Sequence, residues 1–154
     1  MRRLGITAAG LAALCALALA LATNGRAKPA TGHTCSATDR QFIQAAAVNM
    51  TALGLWGEQY ESGDAKAGEV ISEAKREEKT MRAMGPTDRS LAQARRLLVG
   101  MLAEYAKALE IQQHHGNAGP HMYRAYGLAN YVHGVLQKAQ PALVTRGCDL
   151  TDLL

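Results

Sequence analysis

A chain of 154 residues, 48% hydrophobic and 19% charged, is long enough to bury one core without a metal or a dense disulfide framework. Its three cysteines are too few for a disulfide-stapled mini-scaffold. The net charge of +4 is dispersed: Lys75-Arg76 and Arg95-Arg96, the densest basic pairs, lie in segments that also carry acids, so no nucleic-acid partner is expected.

The N-terminus reads as a secretory signal peptide over residues 1–22. Arg2 and Arg3 form a positive n-region, residues 4–21 are an uncharged apolar run, and Ala20-Leu21-Ala22 supplies a small-x-small cleavage site. A later cut near Ala27 or Ala30 is the alternative, as is a retained anchor, because roughly 18 apolar residues approach the lower limit for a bilayer span. Cys15 follows Leu14 in mid-run, which does not fit a lipidation site. Arg2-Arg3 leaves the general and twin-arginine export routes open. Cleavage removes both arginines, taking two charges off the net +4, and confines membrane contact to the uncleaved precursor. Residues 23–34, with Gly25, Pro29 and Gly32, read as a flexible linker.

From Ser36 onward the apolar spacing is helical. Ser36 and Asp39 resemble a capping box, and Phe42, Ala46, Asn49, Leu53, Trp56 and Tyr60 form one stripe up to Ser62-Gly63. A second helix is expected from Asp64, with Val70, Ile71, Ala74, Met81 and Met84 inward, stopping at Gly85-Pro86. Thr87 or Asp88 caps a third, whose stripe runs Leu91, Ala94, Leu98, Met101, Leu102, Tyr105, Ala108 and Leu109 to a stop at Gly116. Pro120 suits the first turn of a fourth, with Ala125, Ala129, Val132, Leu136 and Ala139 inward. Pro141 is expected to end or kink that helix. Gly127 and Gly134 would allow a close helix approach or weaken the helix locally.

Four helices joined by short connections imply antiparallel neighbours, so the expected fold is all-α: an up-down-up-down four-helix bundle over residues 35–148 with a C-terminal tail over residues 149–154. An even number of antiparallel helices brings Cys35, before the first, beside Cys148, after the last. The expected bundle is therefore closed by one disulfide, formed in an oxidising compartment. Two free thiols or an intermolecular bridge are the other readings.

Catalytic signatures are absent: the sequence has no G-x-S-x-G, Walker loop, G-x-G-x-x-G, H-E-x-x-H or C-x-x-C-H. It also lacks the Glu-x-x-His pairs of di-iron bundles. Two candidate sites remain. His114, His115, His121 and Met122 gather around the loop before the fourth helix, near Glu58, Glu61 and Asp64 in the expected topology, and offer imidazole and thioether ligands to copper or zinc. Histidines at a helix C-terminus are equally explained by its dipole. Tyr126 and His133, seven apart on the fourth helix, have the spacing to line a groove for haem or an apolar ligand, or to pack at the core edge with wet polar tips. Met50, Met81, Met84 and Met101 read as core filler.

Asp39-Arg40-Gln41-Phe42-Ile43, then Ala45-Ala46-Ala47, with Val70 and Ala74 downstream, resembles the opening of exported bacterial ferritin-like four-helix domains of unknown function. The resemblance covers about a quarter of the chain and implies an exported helical bundle in the bacterial periplasm or cell envelope. Such domains often carry Met and His late in the second helix; here Met81 and Met84 match but no His does.

The function expected is therefore that of a secreted or periplasmic, non-enzymatic helical-bundle protein. It would bind a partner protein, an envelope component or a small ligand, and need no cofactor. The alternative is a copper-, zinc- or haem-binding protein that uses the histidine-rich end.

Overall fold

The computed structural model describes residues 34–154. The signal segment with Arg2, Arg3 and Cys15, and all of the linker except Thr34, lie outside the described residues. Four helices follow in order: α1 (Ala37–Ser62), α2 (Ala67–Ala83), α3 (Arg89–Gln113) and α4 (Gly119–Thr145). No strand occurs among the described residues. The helices pack against one another most closely where α3 meets α4 and α2. By contrast, α1 lies mainly on α2, touches α3 lightly and makes no close backbone approach to α4.

Local chemistry sets the helix ends. Ser36 caps α1 by accepting the Asp39 N–H at 3.0 Å. The reciprocal half of the expected capping box is absent, because the Asp39 carboxylate is engaged by the α2–α3 loop instead. Gly63, at φ 85°, ends α1 in the left-handed conformation that glycine adopts without a Cβ clash. The Gln59 carbonyl then accepts the N–H groups of Asp64 and Ala65. That wrap consumes the residues expected to open the second helix, so α2 starts at Ala67 rather than Asp64, with the Glu69 carboxylate accepting the Lys66 N–H at 2.7 Å. Met84 falls just past the end of α2 in extended conformation. Asp88 caps α3 by accepting from Ser90 and Leu91. Gly116 lies where a Cβ would meet Ile111 Cγ2 at 2.7 Å, so a side chain in the turn after α3 would force Ile111 to shift.

For α4, one of the two readings of Pro141 and one of the two readings of its glycines are excluded. Pro141 does not end it: the helix runs on to Thr145. An interior proline removes one helical bond and costs about 3 kcal/mol, but fully buried Leu143 and the Cys148 junction tie this turn to the rest of the molecule. Gly127 and Gly134 support no close helix approach, since a Cβ at either would meet nothing within 4 Å.

The main core joins Phe42, Ala46 and Leu53 of α1, Met81 of α2, Leu91, Leu98 and Leu102 of α3, and Leu136 and Leu143 of α4. Each large side chain so buried contributes about 1.5–3 kcal/mol. A smaller cluster of Ala65, Val70, Ile71 and Leu109 carries half-buried Trp56, Tyr60 and Tyr105 at its edge, so the lower part of the expected α1 stripe faces this cluster. The tail does not hang free: Leu150 is 1% exposed and Leu153 packs on the main core.

At one end, Cys35 and Cys148 stand at disulfide distance, Sγ to Sγ 2.03 Å and Cα to Cα 5.2 Å. The Cys35 N–H donates to the Arg146 carbonyl at 2.8 Å, and the Arg146 guanidinium donates to Asp88 at 2.6 Å. The start of α1, the start of α3 and the end of α4 therefore meet in one polar junction. Toward the other end, Lys75 of α2 pairs with Glu110 of α3 at 2.6 Å.

Candidate binding groove

Two helices that stand apart, α1 and α4, lack charge along their middles. No Asp, Glu, Lys or Arg occurs in α1 between Arg40 and Glu58, or in α4 between Arg124 and Lys138. Because α1 and α4 make no close backbone approach, these uncharged stretches face an open groove instead of each other. Short side chains keep it open: Ala47 on α1 and Ala125 and Ala129 on α4 are too small to bridge it.

The groove has two adjoining compartments that share Met50, Met101 and Ala129. The larger, about 570 Å³, has Met101 and Tyr105 of α3 as its floor, Met50 and Leu53 of α1 as one wall, and Met122, Tyr123 and Tyr126 of α4 as the other. Its volume and apolar lining are those of a small-molecule site. The smaller, about 340 Å³, adds polar groups: Thr51 of α1, His133 of α4, and Asp152 beside Leu153 from the tail.

Tyr123 and Tyr126 are 80% and 68% exposed beside this groove. Lone exposed apolar residues are ordinary, whereas a contiguous apolar patch beside a cleft marks a binding surface. Three thioethers, from Met50, Met101 and Met122, add an adaptable, polarisable lining. The Tyr105 hydroxyl is held protonated: burial above all, then the charge of Glu61, raises its pKa from 10. At neutral pH it is thus a hydrogen-bond donor in a predominantly apolar wall.

The residues singled out from sequence fall in two places. Tyr126 lines the larger compartment and His133 the smaller, and Met122 belongs to the same wall. Met50 and Met101, read as core filler, line the groove as well; Met101 is nevertheless only 5% exposed. At the other candidate site, His114 is the C-cap of α3 and His115 turns the chain at φ 56°. Both are exposed. His121 instead approaches Glu104, Nδ1 to Oε2 2.7 Å, with Arg124 Nε donating to the same oxygen at 3.0 Å. Hydrogen bonds from His121 and then Arg124 hold the Glu104 carboxyl below its usual pKa. Among the described residues, no three His, Cys, Asp or Glu side chains converge as a cation site. Glu110, whose sequence neighbour on the helix face is His114, is taken by Lys75.

Sequence reasoning missed Asp152 and Leu153, because a six-residue tail carries no periodicity to say where it packs. It also missed the separation of α1 from α4. The lack of charge between Arg40 and Glu58 was the available signal for that gap.

No protein-family model, curated protein or solved structure matches this chain.

Proposed function

We propose that this chain is an exported, non-catalytic helical binding protein that holds a small apolar molecule between α1 and α4. The observation that carries this reading is the compartment of about 570 Å³ lined by Met50, Leu53, Met101, Tyr105, Met122 and Tyr126, with no charged side chain in its wall. Alkyl, thioether and phenol groups give area and shape complementarity to an apolar ligand.

The fold that fits is an up-down-up-down bundle opened along its α1–α4 seam. Its support is the junction of Cys35, Asp88 and Arg146 at one end and the Lys75–Glu110 pair toward the other. Export to the periplasm, cell envelope or medium is supported by the signal-like residues 1–22 and by a cysteine pair at disulfide distance, an arrangement typical of oxidising compartments. No helix among the described residues is long and apolar enough to cross a membrane.

The test is titration of the native, oxidised protein with N-phenylnaphthylamine, an uncharged fluorophore that brightens in apolar surroundings. Saturable one-site binding that raises the melting temperature is expected, since a ligand of the folded state stabilises it by mass action. Absence of saturable binding would sink the reading. Copper, zinc or haem in the untagged purified protein would move the function to His114, His115, His121 and Met122.

A further inference from the structure

We propose that the groove is specific for an elongated amphiphile with a cationic nitrogen head: a protonated long-chain alkylamine, its chain in the methionine–tyrosine compartment and its ammonium beside Asp152. This inference rests on the apolar-ligand reading and names the ligand class for the same groove.

Met122, Tyr126, Ala129 and His133 recur at four- and three-residue steps on α4 and so form one continuous wall. From Met122 to His133 the wall is about 16 Å long at 1.5 Å per residue, an elongated shape suited to an extended chain. The two ends differ in chemistry. At the Met122 end the lining is apolar apart from tyrosine hydroxyls, whereas the other end gathers the Thr51 hydroxyl, the His133 imidazole and the Asp152 carboxylate.

Among the described residues, Asp152 is the only formally charged side chain lining either compartment. Most acids elsewhere among the described residues have a partner: Asp39 has Thr87 and Asp88, Asp88 has Arg146, Glu104 has His121 and Arg124, and Glu110 has Lys75. Among the described residues Asp152 has neither a hydrogen bond nor an ion pair. The tail that carries it is nonetheless anchored, through Cys148 to Cys35 and through buried Leu150. Asp152 is itself exposed, and an unpaired carboxylate at the mouth of an uncharged groove attracts a cation and repels an anion. An ammonium brings three N–H donors, and the Asp152 oxygens and the Thr51 oxygen are acceptors within that compartment.

The experiment displaces N-phenylnaphthylamine from the oxidised protein with decylammonium, decanol or decanoate at submicellar concentrations and neutral pH. Decylammonium should displace the probe at about tenfold lower concentration than decanol, the ratio expected for one charge-assisted hydrogen bond, and decanoate should be the weakest. Asp152→Asn should weaken decylammonium about tenfold, erasing its preference over decanol. Equal affinity for decanol and decylammonium, or a preference that survives Asp152→Asn, would overturn the inference and leave the apolar-ligand reading standing. Failure of the probe itself to bind would remove both.

Discussion

Asp39, in the first turn of α1, accepts the backbone N–H of Thr87 at 2.7 Å and its hydroxyl at 2.8 Å. The same carboxylate accepts the Asp88 N–H at 3.0 Å, so one side chain fastens the start of α1 to the start of α3. It is 4% exposed. Burial raises its pKa, but the donors from Asp88, Ser36 and Thr87 outweigh burial and bring it from 3.8 to about 2.

A carboxylate whose folded pKa lies below its unfolded value adds stability that is fully present above the unfolded pKa and lost as pH falls through the folded one. Asp39 should therefore contribute about 2 kcal/mol at neutral pH, most of it lost between about pH 4 and pH 2. Asp39→Asn should be less stable at neutral pH by a similar amount, and the two proteins should converge near pH 2. Denaturant midpoints across that range check this; parallel curves for the two proteins would contradict it.

Reduction should weaken the fold through the unfolded state. Cys35 and Cys148 are 113 positions apart, and a cross-link closing a loop of roughly 100 residues is worth up to about 4.7 kcal/mol in the chain-entropy model. Replacing both cysteines with alanine should lower stability by about 2–5 kcal/mol. The intact mass before and after alkylation, with and without reduction, tests the bond itself: two alkylatable thiols in the unreduced protein would refute it.

Glu77 is a buried acid with an incomplete shell. It is 3% exposed, Oε1 accepts from Arg76 at 3.0 Å, and Oε2 has no partner among the described residues. Burial raises its pKa despite the opposing charge of Arg76, with Glu73 adding to the rise. Such an acid favours the fold while protonated and loses that contribution as pH rises through its folded pKa. Glu77→Met, similar in length and free of the orphan oxygen, should gain about 1 kcal/mol at neutral pH and less at about pH 4. A loss at neutral pH on thermal unfolding would show that Oε2 is satisfied in solution.

Filling the groove should separate binding from folding. Ala129 lines both compartments and is only half-buried, so Ala129→Phe has room to project into open space. Its stability should stay within about 1 kcal/mol of the parent, while affinity for N-phenylnaphthylamine should fall at least tenfold. Undiminished binding in this variant would place the probe elsewhere.

Helix positions were legible in the sequence because apolar spacing, Ser36, Gly63, Asp88 and Pro120 are local signals, and each acts through backbone geometry within a few residues. Pairing Cys35 with Cys148 was legible too, once the helix count was even. Tertiary contacts decided the rest. Periodicity says which face of a helix is apolar, but it does not say how far the neighbouring helix stands; Met50 and Met101 pack in or against the core as read, but spacing did not show that they also border a groove. Asp39 read as half of a local cap because its partners lie nearly fifty positions away, and no spacing rule reaches that far. Pro141 read as a stop or a kink because local strain was visible, and the anchors beyond it, Leu143 and Cys148, act through the packed core. Four amphipathic helices and an end-to-end cysteine pair follow from local spacing alone. Only the packed chain decided that α1 stands off from α4 and that the tail brings Asp152 to the gap, because interhelical distance depends on side-chain volumes summed across elements remote in sequence.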